Sequence, residues 1–227
     1  MEVLGYQAVT AYRAELSRCR LNCWQLNDRS CYYGSMPKKA ETKERIVRTA
    51  LTQAVSTGLV GLSFGRLAES AGLSKSGLFA HFDSKDDLQK TVLELAIELF
   101  MQNVVAPALI QPAGYDRLKA LYTNYLDWII GDQGRSGCPF VTFVQEFDDR
   151  SGEVRDLLLD AQTAWRKLLS DTVRQAQQGK QLTRNGTPDQ IAFELVGAAL
   201  SFQTSLKLLG DKQARRKALA AFNHIVS

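Results

Sequence analysis

The apolar residues of this chain recur at helical spacing over most of its length. Ile46, Val47, Ala50, Leu51 and Ala54 fall at i, i+3, i+4 intervals and make one stripe in a helix that begins near Glu41. Thr57-Gly58 suits its C-terminus, because glycine adopts positive φ without steric cost. Ser63 is a candidate N-cap for a short second helix through Ala71, Gly72 makes a turn, and Ser74 caps a third helix from about Lys75 to His81. Ser84 caps a fourth, with Asp86 and Asp87 in the first turn, where the helix dipole favours anions. Its apolar pattern runs to about Val105, and Pro107 is expected to stop it.

The rest of the chain reads the same way. Tyr115 to Ile130 carries apolar residues at 118, 121, 122, 125, 126, 129 and 130. A loop over 131–137 precedes a short helix from Pro139 to Asp148 and a long one from Glu153 to Gln178. Thr187-Pro188-Asp189-Gln190 has the form of a capping box with proline at the first helical position. It opens a helix reaching about Leu209, and a last helix spans about Lys212 to Val226. No segment alternates apolar and polar residues with a period of two, so the expected fold is all-α.

The two short helices carry the functional signal. Ala68 supplies the small residue needed where one helix crosses the other, and Gly72 supplies the turn. Leu67, Ala71, Leu73, Leu78 and Phe82 can close a small core, which leaves Lys75, Ser76, Gly77, Phe79 and Ala80 for the outer face. This is the arrangement of a helix-turn-helix, whose second helix enters the major groove. An ordinary corner between two bundle helices would use the same spacing.

Charge supports the DNA reading. Residues 36–82 hold seven Lys or Arg against three Glu, which equals the whole net charge of +4. A locally basic segment is the electrostatic footprint of phosphate binding. Residues 1–35 differ in composition and end in Tyr32-Tyr33-Gly34-Ser35, after which Met36-Pro37-Lys38-Lys39 reads like a fresh basic N-terminus. They are read as an N-terminal extension, either disordered or upstream of the true start. Three of the four cysteines, Cys19, Cys23 and Cys31, lie there, without the paired spacing of a zinc module. Free thiols, no metal site and a cytoplasmic location are expected, with no signal peptide and no apolar run long enough to span a bilayer.

Thr42-Lys43-Glu44-Arg45-Ile46, Gly58, Leu67-Ala68, Ala71-Gly72-Leu73-Ser74-Lys75, Leu78-Phe79, His81-Phe82 and Ser84-Lys85-Asp86-Asp87-Leu88 together resemble the N-terminal domain of TetR-family repressors. The resemblance covers about Glu41 to Leu95 without a gap. It implies a three-helix DNA-binding domain over residues 36–82 and a helical ligand-binding and dimerisation domain over 83–227. It implies phosphate contacts from Ser63, His81 and Lys85, and base or backbone contacts from Lys75 and Ser76. Phe79 stands where the family usually has Tyr, and Gly77 where it usually has Thr or Ser, so a hydroxyl is missing at each place. Arg66 and Lys75 are the only Lys or Arg inside the two motif helices, so few cations are available for guanine readout. A thymine methyl met by Phe79 or Ala80 is the expected complement.

The function implied is a ligand-responsive transcriptional regulator, by family default a repressor, bound as a homodimer to a pseudo-palindromic operator with recognition helices roughly 34–36 Å apart. The alternative is a helical interaction or sensor module of the same fold that has lost specific DNA binding. In the family the last two helices form the dimer, and Gly197, Ala198, Ala199 and Ser201 permit close approach there. Trp128, Phe143 and Trp165 are candidates for an effector pocket, most other aromatics being core. Cys138, ahead of a helix N-terminus, is a candidate redox thiol, with a small buried residue as the plainer reading. Two histidines and no catalytic constellation argue against an enzyme, and no cofactor is expected.

Overall fold

A computed structural model of the chain describes residues 38–131 and 137–227. The extension over residues 1–35, with Cys19, Cys23 and Cys31, lies outside the described residues, as does Gly134-Arg135-Ser136. Every regular element among the described residues is helical. In chain order they are α1 (Lys38–Thr57), α2 (Phe64–Ser70), α3 (Lys75–Phe79), α4 (Lys85–Leu109), α5 (Tyr115–Ile130), α6 (Pro139–Phe147), α7 (Glu153–Gln178), α8 (Pro188–Lys207) and α9 (Ala214–Val226). One contiguous apolar core runs from Ile46 in α1 to Val226 in α9.

The periodic stripes become the buried faces. Ile46, Val47, Ala50, Leu51 and Ala54 are all buried, as α1 lies against α4. The α4 sequence is apolar and long enough to cross a bilayer by composition, but 56% of its apolar window is buried in this protein, packed on α1, α5 and α7. It is a core helix. At the far end α8 packs on both α7 and α9. The Arg184 guanidinium grips both carboxylate oxygens of Glu194 at 2.5 and 2.8 Å and reaches the Ile225 carbonyl at 3.2 Å, tying the start of α8 to the end of α9. That grip holds the Glu194 carboxyl down at about 2.

The capping residues behave as their chemistry requires. Ser74, Ser84 and Thr187 accept hydrogen bonds from the amides of Gly77, Asp87 and Gln190. The Gln190 side chain turns to Glu194 rather than back to its own cap, so only half of the expected box forms.

Pro107 does not stop α4. The helix passes through it to Leu109 by way of a π-helical turn, Met101–Val105, in which the Ala106 amide bonds to the Met101 carbonyl five residues back. The widened turn leaves the ideal α path where Pro107 would otherwise meet the carbonyl of Asn103. Asn124 of α5 donates to the Val104 carbonyl at 3.0 Å, satisfying one group of the distorted turn.

Candidate functional site

Helices α2 and α3 are joined by Gly72 at φ +66°. The turn closes on a hydrogen bond from the Leu73 amide to the Ala68 carbonyl at 2.9 Å. Leu67, Ala68, Ala71, Leu78 and Phe82 are buried beneath it, and Leu73 is half-buried. Arg45 of α1 donates to the Ala71 carbonyl at 2.8 Å, and Gln53 bonds Ser70 at 3.0 Å. These bonds hold the pair at a fixed angle to α1. The recognition element is shorter than the sequence suggests: α3 ends at Phe79, and Ala80 and His81 follow as a turn.

Lys75, Ser76, Phe79 and Ala80 face solvent together. Phe79 is 47% exposed and lies flat on Phe64, ring centres 4.5 Å apart. The stack presents one edge and one face of a rigid aromatic pair beside Lys75. Gly77 is half-buried; a Cβ there would sit 3.1 Å from the Ser74 hydroxyl that caps the helix. Ser63 takes N-cap geometry, yet its hydroxyl accepts no capping bond and stays available for another acceptor or donor. Arg66 and Lys85 are exposed but folded back, Arg66 onto the Gly61 carbonyl at 3.2 Å and Lys85 onto the Val60 carbonyl at 2.7 Å. His81 is half-buried with its Nδ1 enclosed.

The turn between α1 and α2 is held from below by three side chains. Glu146, on the last turn of α6, accepts the amides of Leu59 at 2.7 Å and Val60 at 3.3 Å. Buried Gln89 of α4 donates to the Leu59 carbonyl at 2.9 Å, and Lys85 holds the next carbonyl. Gly58, at φ +74°, makes room for the carboxylate: a Cβ there would lie 1.8 Å from a Glu146 oxygen. Sequence reasoning missed Glu146. Its partners are 86 and 87 residues away, and only Gly58 hinted that something approaches closely.

The aromatic candidates divide. Trp165 lines a cavity of about 20 Å³, together with Ile97, Phe100, Tyr125, Phe140, Ala161 and Gln162. That is room for one water molecule. Trp128 packs edge-on against Phe100 at the cavity's side. Phe143 is fully buried and does not line the cavity; it is a core residue. Phe100 sits at the centre, with Tyr125, Trp128, Phe140 and Trp165 arranged around it in edge-to-face contacts at 5.8, 5.7, 5.6 and 5.1 Å.

Cys138 is buried just before α6, its amide donating to Gln203 at 2.7 Å. Burial pushes its thiol up, against the opposing influence of Trp128, the Phe140 amide, Tyr125 and the Val141 amide. The lowered pKa that the helix N-terminus suggested is therefore absent, because desolvation outweighs those donors. Burial likewise raises the Tyr125 phenol well above its usual value, with the neighbouring Cys138 adding to it. Treated with a thiol-specific reagent and mapped by peptide mass spectrometry, Cys138 is expected to label only once denaturant opens the fold. Labelling under native conditions would contradict this.

Two family patterns match the sequence. "Bacterial regulatory proteins, tetR family" covers residues 46–92, and "Tetracyclin repressor-like, C-terminal domain" covers residues 114–222. The chain belongs to the TetR family. Its members are transcription regulators that use a helix-turn-helix to bind DNA, and α2 and α3 are that element here. No curated protein sequence matches the chain significantly. Solved TetR-type structures share the fold. A regulator from Chloroflexus aurantiacus is 20% identical with TM-score 0.72, covering 84% of this chain and 95% of that one. AibR in complex with isovaleryl coenzyme A and operator DNA is 20% identical with TM-score 0.69, covering 82% and 98%. A Saccharomonospora viridis regulator in complex with choline is 20% identical with TM-score 0.67, covering 82% and 96%.

Proposed function

We propose that this TetR-family protein is a ligand-responsive repressor that acts in the cytoplasm as a homodimer on a pseudo-palindromic operator. In this reading residues 36–82 form the DNA-binding domain and 83–227 the sensing and dimerising domain. The observation that carries it is the solvent-facing set Lys75, Ser76 and Phe79 on α3 and Ala80 just after it, with the cationic Arg66 and Lys85 also exposed. Ser63, Arg66, His81 and Lys85 serve the phosphates, which position the protein. Lys75, Ser76, the Gly77 backbone and the Phe79 ring meet base edges, with Phe79 against a thymine methyl. Arg66 and Lys85 leave the Gly61 and Val60 carbonyls to do so.

The dimer reading rests on α8. Phe193, Gly197, Leu200, Ser201 and Thr204 are exposed on one face at i, i+4, i+7, i+8 and i+11. Phe193 is 61% and Leu200 41% exposed, and a Cβ added at Gly197 would meet nothing within 4 Å. An apolar stripe with a small central residue suits a partner helix. Ligand response rests on the aromatic cavity and on the effector complexes of relatives of this fold, one with an acyl coenzyme A and one with choline. The effector acts by preferring the conformation that binds operator poorly, to the extent that it lowers operator affinity.

A gel shift against the DNA upstream of its own coding sequence tests the reading. Binding is expected to weaken by about 10³-fold or more between 50 and 200 mM salt, as for proteins that neutralise several phosphates. Phe79→Ala is expected to keep that salt dependence while relaxing base preference at one operator position. A specificity profile identical to wild type would remove Phe79 from the readout, and salt-insensitive or absent binding would remove the DNA-binding role.

A further inference from the structure

The aromatic cavity has a feature that core packing does not explain. Trp165 is only 6% exposed, and its indole Nε1 is buried with no hydrogen-bond acceptor among the described residues. The neighbouring Trp128 differs, because its indole faces the Cys138 thiol. Folded proteins rarely leave such donors unsatisfied, since each costs its full desolvation. A donor of this kind on a cavity wall is a place for an acceptor supplied from outside the chain.

The other walls define what that molecule is. Among the described residues the cavity lining has no charged side chain: Ile97, Tyr125, Phe140 and Ala161 are apolar or neutral, and Gln162 is an amide. An ionised ligand would enter without a counter-charge, a heavy desolvation cost. The surrounding rings are suited to a flat apolar body. That place is now taken by the Phe100 ring, around which four aromatic side chains stand edge to face. Phe100 is the last residue before the π-helical turn Met101–Val105. Such a turn holds one residue more than an α turn, and passing that extra residue along the helix rotates its neighbours by about 100°. Phe100 thus has a route out of the ring cluster that leaves the rest of α4 in place.

We propose that this pocket takes a flat, uncharged aromatic ligand bearing a hydrogen-bond acceptor oxygen, such as an aryl carbonyl compound, which displaces the Phe100 ring and accepts the Trp165 indole N–H. The proposal rests on the ligand-responsive reading above and names the chemistry of its site. No covalent step is involved, and Cys138 stays a thiol.

Calorimetric titration of the full chain with four probes of similar size tests it: acetophenone, ethylbenzene, phenyltrimethylammonium and benzoate. Acetophenone is expected to bind, and the cation and anion are not. Phe100→Ala is expected to bind acetophenone about tenfold tighter than wild type, because the plug no longer has to leave. Trp165→Phe keeps a ring in the wall and is expected to lose about tenfold for acetophenone while leaving ethylbenzene unchanged. Should the alanine variant fail to fold, Phe100→Leu makes the same comparison, with a smaller gain. Equal binding of acetophenone and ethylbenzene, tighter binding of phenyltrimethylammonium, or no gain on removing the Phe100 ring would each overturn the proposal. The titration contains no DNA. Its failure therefore leaves the operator reading standing, and absent gel-shift binding with intact acetophenone binding would overturn only the operator reading.

Discussion

Glu146→Ala is expected to lower stability by about 2 kcal/mol, through loss of two charge-assisted hydrogen bonds to backbone amides. For a chain of this size that is a fall of about 4–8 °C in Tm, read by circular dichroism. The Leu59 amide belongs to a residue with no exposed surface, so water cannot fully replace the carboxylate there. Glu146→Gln keeps an acceptor oxygen without the charge and is expected to lose about half as much. Gly58→Ala reaches the same bonds from the other side. It forces a side chain into positive φ, at roughly 1 kcal/mol, and its Cβ also occupies the carboxylate's place. Hydrogen exchange adds a positional check: amides of Leu59 and Val60 should exchange faster in Glu146→Ala, while those of α9 should not. Uniform acceleration, or none, would mean that Glu146 does not hold this turn.

The second large effect concerns α8. Phe193→Asp combined with Leu200→Arg is expected to yield a monomer by light scattering and to weaken operator binding by about 100-fold or more. Two linked reading heads gain that much over one. Neither side chain contributes to the chain's own core, so Tm of the isolated subunit should change little beyond what dimer dissociation itself removes. A variant that remains dimeric would place the interface elsewhere.

What the sequence makes legible here is what local chemistry decides. The α1 stripe, the Gly72 turn and the Ser74 and Ser84 caps each depend on residues within about one helical turn, and all are found as read. Pro107 misled because a proline rule assumes α geometry, and α4 departs from it just before that residue. Phe143 and Trp165 look alike as aromatic positions in the string. Only the directions of their side chains make one core and the other cavity wall. Cys138 turned on the balance between a helix terminus and burial, and burial is a property of the assembled fold. The Glu146 contact joins residues too far apart for any spacing rule to reach.

Helix α6 has nine residues, with Phe140 on its first turn against the aromatic cavity and Glu146 on its last turn at the amides of Leu59 and Val60. Six residues of α-helix span about 9 Å. A rigid rod of that length pivoting at its middle would turn a tilt of an ångström at its cavity end into a similar, opposite displacement at its far end. The head-ward turn is thereby addressed twice, by this rod and by α4 through Gln89 and Lys85. Because the two lines meet on consecutive peptide units, any difference in their movement appears as torsion of the Gly58–Gly61 segment, directly upstream of the first motif helix.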